Sequence, residues 1–178
     1  MKAKKSSLPP VLDVCCGGRS MWFESDDSRA LYMDIRHATY EVDKGTDGTK
    51  GRNPIVVDPD VQADFTNIPF PDSSFHHVVF DPPHYTAGRM GRTGIMFHRY
   101  GSLLPGWEEM LRAGFAECFR VLKPCGTLIF KWCSIQIPLS RVLALTPAKP
   151  LYGHRTGKKA RTHWVAFMKV HKDSGVGE

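Results

Sequence analysis

Val78-Val79-Phe80-Asp81-Pro82-Pro83-His84-Tyr85 decides how this chain is read. Its apolar start, two of three residues β-branched, predicts the end of a strand buried on both faces. Pro82 and Pro83 cannot continue a ladder, and Pro82 pushes Asp81 toward an extended backbone. The strand therefore stops at Asp81, with a carboxylate, two stiff prolines and an aromatic pair at its carboxyl end. In an open α/β sheet that edge is where ligands bind. Asp81 and the Pro82 carbonyl can both accept from one –NH2 group, and a flat ring after them, His84 or Tyr85, can stack on a flat substrate. Two acceptors on an exocyclic nucleobase amine favour a pyramidal nitrogen with an outward lone pair, which is catalysis by positioning and electrostatics. The tetrapeptide alone also fits a plain Pro-Pro turn with Asp81 capping a loop.

The 178 residues predict a single domain over 1–178, with disordered tails at 1–8 and 173–178. No apolar run approaches membrane-spanning length, and the basic start lacks an apolar signal region. Five cysteines, an odd number, read as reduced thiols of a cytoplasmic protein. The net charge of +6 tilts toward a polyanionic partner. Its placement says more. Arg155, Lys158, Lys159 and Arg161 crowd one loop in a stretch free of acidic residues, and Arg89, Arg92 and Arg99 follow the Pro-Pro corner. Two basic loops flanking one site point to nucleic acid, DNA ahead of RNA; solvated surface is the plainer alternative.

Pro9 to Cys16 predicts a short buried strand entering a turn at Gly17-Gly18, with a short helix over Arg19 to Asp27. A strand, a glycine turn and a helix start cradle a nucleotide-like ligand, since glycine lets backbone N–H groups approach closely. Ala30 to Asp34 is a second strand, and Asp34 stands at its tip where an acidic residue grips ribose hydroxyls. Thr39 to Pro54 reads as loop, and either Ile55–Asp58 or Val61–Phe65 can carry a third strand. His76-His77 would point to opposite faces of a strand, and no zinc-ligand spacing surrounds them, so no metal is expected.

Thr86 to Pro105 reads as a long Arg- and aromatic-bearing loop over the pocket. Trp107, Met110, Leu111, Phe115, Cys118, Phe119 and Leu122 recur at helical spacing. Lys123 to Gly126 would end that helix, and Thr127 to Trp132 predicts a buried strand. A weaker helix over Ile135–Leu145, a short strand at Leu151-Tyr152 and a last strand over Trp164–Met168 complete the alternation. It predicts a three-layer α/β sheet, mostly parallel.

With these residues in hand the chain resembles the class I S-adenosylmethionine-dependent methyltransferases, from about Val11 to Lys169. Val11 to Gly18 resembles their first cofactor motif, Asp34 their ribose-binding acid, and Asp64-Phe65 the segment flanking the cofactor adenine. Asp81-Pro82-Pro83-His84 is similar to the D/N-P-P-aromatic motif of amino-group methyltransferases. Phe119-Arg120-Val121-Leu122-Lys123-Pro124-Cys125-Gly126 is similar to their R-V-L-K-P-G-G turn. The chain also resembles small stand-alone methyltransferases of phages and bacteria. Cys15 and Cys16 stand in a usually glycine-rich stretch, and His84 replaces the usual Tyr, Phe or Trp.

The resemblance implies a Rossmann-like methyltransferase fold with an antiparallel last strand, and S-adenosylmethionine as cofactor. It places Asp13, Cys15, Cys16, Gly17, Gly18, Asp34, Asp64 and Phe65 around that cofactor. Asp81, Pro82, Pro83, His84 and Tyr85 would form the catalytic corner. The expected reaction is methylation of an exocyclic nucleobase nitrogen, first N6 of adenine in DNA, by a monomer or homodimer. RNA bases, a glutamine amide in protein, and an inactive nucleic-acid-binding module on the same fold are the alternatives. No separate recognition domain is expected after the core, so sequence specificity would be low, loop-borne or supplied by dimerisation.

Overall fold

The computed structural model describes residues 8–41, 54–86, 95–155 and 161–170. Val78 to Phe80 end the central strand of the sheet. Strand β6 (Phe75–Phe80) lies between β1 (Val11–Asp13) and β7 (Leu122–Cys133), parallel to both. It ends at Phe80, and Asp81 to Pro83 leave the ladder, as the two prolines require.

On the far side of β1 come β2 (Ala30–Asp34) and then β5 (Val61–Gln62), all parallel. On the far side of β7 lie β9 (Thr162–Met168) and the edge strand β8 (Tyr152–Arg155), with β9 antiparallel to both. The order β5-β2-β1-β6-β7-β9-β8 makes a mostly parallel seven-stranded sheet with an antiparallel strand toward one edge. The winding reverses between β1 and β6. A crevice opens there at the carboxyl ends of the strands.

The amphipathic helix is α2 (Trp107–Val121), after the short α1 (Ile95–Tyr100). Its apolar stripe buries Leu111, Phe115 and Cys118 against the sheet. Phe115 meets Phe80 edge-on at 5.4 Å and Phe130 at 4.9 Å, and all three rings are fully buried. Burial of such side chains contributes about 1.5–3 kcal/mol each. The Arg120 guanidinium donates to Glu117, Asp72 and the carbonyls of Ile68 and Phe70, clamping the end of α2 onto the turn before β6. The R-V-L-K-P segment is therefore a structural clamp. Cys125 adopts φ +61°, a conformation that glycine takes without strain.

Several expectations need correction. Arg19 to Asp27 forms turns, not a helix: its apolar residues are adjacent instead of helically spaced, and Arg19 ties the segment to the carbonyls of Ser25 and Asp58. Ala38–Tyr40 (β3) is a strand, not loop, and pairs antiparallel with β4 (Ile55–Val57). Val61–Gln62 is the strand that joins the main sheet, so the two candidates divide the work. The predicted loop over Thr86–Pro105 contains α1, and the turn expected over Lys123 to Gly126 lies within β7, whose register against β6 shifts between Phe75 and His77. The weak helix shrinks to α3 (Leu139–Leu143).

Gly114 sits where α2 crosses β6. A Cβ there would lie 2.7 Å from Phe65 and 2.8 Å from Phe80. Gly114→Ala should gain helix propensity yet lose about 1–3 kcal/mol net through overpacking. Urea unfolding of the two proteins checks this.

Candidate active site

A cavity of about 940 Å³ occupies the crevice. Its floor is the turn after β1, where Val14, Cys15, Cys16, Gly17 and Gly18 line the wall. Gly17 needs its glycine: φ is +52°, and a Cβ would lie 3.2 Å from the Arg99 carbonyl. Asp34 to Arg36 after β2, Asp64-Phe65 after β5, and Asp81 and Pro83 after β6 complete the strand-end side. The β4 residues Ile55 and Val56, together with Arg99 to Ser102, close over it.

Asp34 is almost fully buried, and its carboxylate is heavily used. Oδ2 accepts from Gly17 N–H at 2.9 Å and Arg36 Nη2 at 3.1 Å; Oδ1 accepts from Arg36 N–H at 2.9 Å and Nε at 3.0 Å. Arg36 also donates to the carbonyls of His98 and Arg99, joining β2 to the end of α1. Asp64 accepts from Thr66 N–H and so forms a tight turn that presents Phe65 to the cavity.

Asp13 lies behind the glycine turn and is not among the cavity residues. Trp22 Nε1 donates to it at 2.8 Å and Cys15 N–H at 3.3 Å. Burial pushes its carboxyl up to about 7 against both hydrogen bonds, and the nearby Asp81 and Asp34 add to the rise. Its role is to shape the turn. Burial also pushes the Cys15 thiol far above its ordinary range and Cys16 up to about 12, so both line the wall as neutral thiols.

The Pro-Pro corner divides in two. Asp81 and Pro83 face the cavity, whereas Pro82 and His84 are buried behind it. Lys131 Nζ sits 2.5 Å from Asp81 Oδ2, while Oδ1 is buried with no hydrogen-bond partner among the described residues. His84 Nδ1 lies 3.3 Å from the Pro82 carbonyl, and its ring packs against Tyr85 and Tyr100. Burial holds the His84 imidazole below its ordinary value, so it stays neutral. Tyr85 points its hydroxyl at Cys133 Sγ, 3.4 Å away. Of the three rings His84, Tyr85 and Tyr100, the one that lines the cavity is Tyr100.

Of the expected basic residues, Arg99 lines the cavity and Arg161 is exposed on the approach to β9. Arg89, Arg92, Lys158 and Lys159 lie outside the described residues, as does the side chain of Arg155. No group of His, Cys, Asp or Glu among the described residues is arranged to hold a metal. No described helix is long and apolar enough to cross a membrane. Sequence reasoning passed over Arg36, Tyr100 and Lys131 as site residues. Lys131 carried a signal, since it is the one charge inside an apolar strand run.

No protein-family model and no curated protein matches the chain. Solved structures do match. A Pyrococcus horikoshii protein superposes with a TM-score of 0.56 at 14% identity, over 89% of this chain and 81% of that one. An S-adenosylmethionine-dependent methyltransferase from Leishmania major gives 0.50 at 13% identity, over 92% and 67%. Another from Methanosarcina mazei gives 0.49 at 13%, over 90% and 92%. The fold is the Rossmann-like methyltransferase fold. At these identities the likeness is one of fold.

The Asp13 carboxyl allows a test. Its folded value lies above the ordinary 3.8, so the folded protein keeps a proton that the unfolded chain releases. This group's contribution to stability therefore falls as pH rises from about 4 to about 7. The unfolding free energy of Asp13→Asn minus that of wild type should shift in the variant's favour across that window, measured by denaturant titration.

Proposed function

We propose that this chain is an S-adenosylmethionine-dependent methyltransferase acting on an exocyclic amino nitrogen of a nucleobase, first N6 of adenine in DNA. The observation that carries the reading is Asp81, a carboxylate that lines the cavity and whose Oδ1 is buried with no hydrogen-bond partner among the described residues. An unsatisfied buried carboxylate oxygen is costly unless a ligand supplies the donor. An –NH2 group supplies it.

The cavity residues fit the cofactor. Asp64 and Phe65 would flank the adenine, Asp34 the ribose and the Gly17-Gly18 turn the amino-acid tail. Asp34 and Asp81 lie close enough to Asp13 to add to the rise of its carboxyl, so three carboxyl groups meet at this end of the sheet. Ribose hydroxyls at Asp34 would have to take over bonds now made by Arg36, because the acceptor positions of that carboxylate are filled. When bound, S-adenosylmethionine would supply an electrophilic methyl on a cationic sulfur, a leaving group that keeps the electron pair of the bond it loses.

The chain's own residues do the rest. Asp81 Oδ1 accepts from the amine, turns its lone pair outward, and is placed to take the proton that the methylated nitrogen sheds. Pro82 and Pro83 hold that corner still. The Pro82 carbonyl already faces His84, so its remaining lone pair is what it can offer the amine. Tyr100 is the ring available to stack on a flat base, ahead of the more deeply packed His84. A base taken from duplex DNA must leave the stack, which stacking in the pocket offsets. The basic residues Arg89, Arg92, Arg99, Arg155, Lys158, Lys159 and Arg161 would supply sequence-blind phosphate contact.

Incubation with a labelled methyl donor and panels of DNA, RNA and protein, followed by mass spectrometry, should reveal N6-methyladenine in DNA. A methylated RNA base or glutamine amide would move the assignment to that polymer. Asp81→Ala should lower methyl transfer on the order of 100- to 1,000-fold with cofactor affinity nearly unchanged. Asp34→Ala should instead weaken S-adenosylmethionine by roughly 10- to 100-fold in calorimetry. Neutralising Lys158, Lys159 and Arg161 together should flatten the salt dependence of DNA binding, measured as log affinity against log salt.

A further inference from the structure

One residue beyond the Phe80–Phe130 pair of β6 and β7, Lys131 reaches Asp81. Both side chains are largely withdrawn from water, at 17% and 10% exposure. The ammonium also lies 5.7 Å from the centre of the Tyr100 ring and 5.6 Å from that of Trp164. Two aromatic faces thus hold the cation beside the carboxylate. A buried ion pair is poor evidence for stability as such, because desolvation consumes much of the attraction. Its consequence for the site is more specific. A free aspartate offers two equivalent oxygens and can turn about its side-chain bonds. With Oδ2 held by Lys131 the carboxylate no longer turns freely, and Oδ1 is the oxygen left buried with no partner among the described residues.

The charge matters as well. An isolated carboxylate at the cavity wall would attract any cation, including a protonated alkylamine. Paired with Lys131, the corner has no net charge to offer, and an alkylammonium would approach a second ammonium. A conjugated –NH2, whose lone pair is delocalised, arrives neutral and meets no such repulsion.

We propose that Lys131 is the positioning and specificity residue of this corner: holding Asp81 Oδ2, it aims Oδ1 at the incoming –NH2 and turns the site toward neutral conjugated amines over alkylammonium ions. The assignment rests on the methyltransferase reading.

The test uses the full chain, Lys131→Met, which removes donor and charge, and Lys131→Gln, which keeps a donor without the charge. Lys131→Met should lower kcat on the order of 100-fold on the polymer that wild type methylates, as expected for a misaimed reacting group. S-adenosylmethionine affinity by calorimetry should stay unchanged. Lys131→Gln should recover part of kcat, yet become inhibited by n-butylamine at concentrations that leave wild type unaffected. Lys131→Met should also melt lower than wild type, and Asp81→Asn added to it should restore part of the loss. Wild-type kcat in Lys131→Met at a temperature where it is folded would reduce the pair to a structural contact. Should Lys131→Met not fold, wild-type kcat and indifference to butylamine in Lys131→Gln overturn the assignment. A wild-type chain that methylates none of the polymers sinks the methyltransferase reading, and this assignment with it.

Discussion

Two consecutive prolines cannot enter a hydrogen-bonded ladder, and the rest of the site depends on where that prohibition falls. It falls at the carboxyl end of β6, beside β1, where the winding of the sheet reverses. Because β6 is anchored by Phe75, Val78 and Phe80 in the core, its end point is rigid. Asp81 therefore emerges into the crevice from a fixed support, the condition under which a single acceptor can orient a reacting group.

Carboxylates gather around this crevice, and each has a different compensation. Asp13 is answered by the Trp22 indole and the Cys15 N–H. Asp34 is saturated by Arg36 and the Gly17 N–H, and Asp64 closes its own turn on Thr66. Asp81 is compensated on one side only, by Lys131. That asymmetry sets Asp81 apart from the other carboxylates around the crevice: its Oδ1 has no partner among the described residues. Buried charge that is half-satisfied is an unstable arrangement in an apolar interior, and it persists where function needs it.

Much of this was legible in the chain. The strand end at Asp81 followed from proline chemistry, and α2 from apolar residues recurring every three or four positions. The tips of β2 and β6 were visible as carboxylates closing apolar runs, whereas the strand read over Pro9 to Cys16 stops at Asp13. What stayed hidden depends on contacts across the fold. The β3–β4 pairing joins two short segments across a long polar stretch, where no local period reports the partner. Helix α1 has only six residues, too few for a helical period to stand out. Lys131 stands out in sequence only as a charge inside an apolar strand run. Only the register of β6 against β7 sets it against Asp81.

Arg36 shows how far local reading falls short. From sequence it is a basic residue just past a strand tip. In the fold its guanidinium binds Asp34 and, through the carbonyls of His98 and Arg99, the end of α1. The same segment delivers Tyr100 to the cavity and, at Gly101, passes so near Pro83 that a Cβ would lie 3.3 Å from its ring. A ligand that engages Asp34 competes with Arg36, and loosening Arg36 loosens the hold on the segment carrying Tyr100. The Asp34 side and the Tyr100 side of the crevice are thus joined through one guanidinium. Asp34 helps to set the position of the aromatic wall beside Asp81 without touching it.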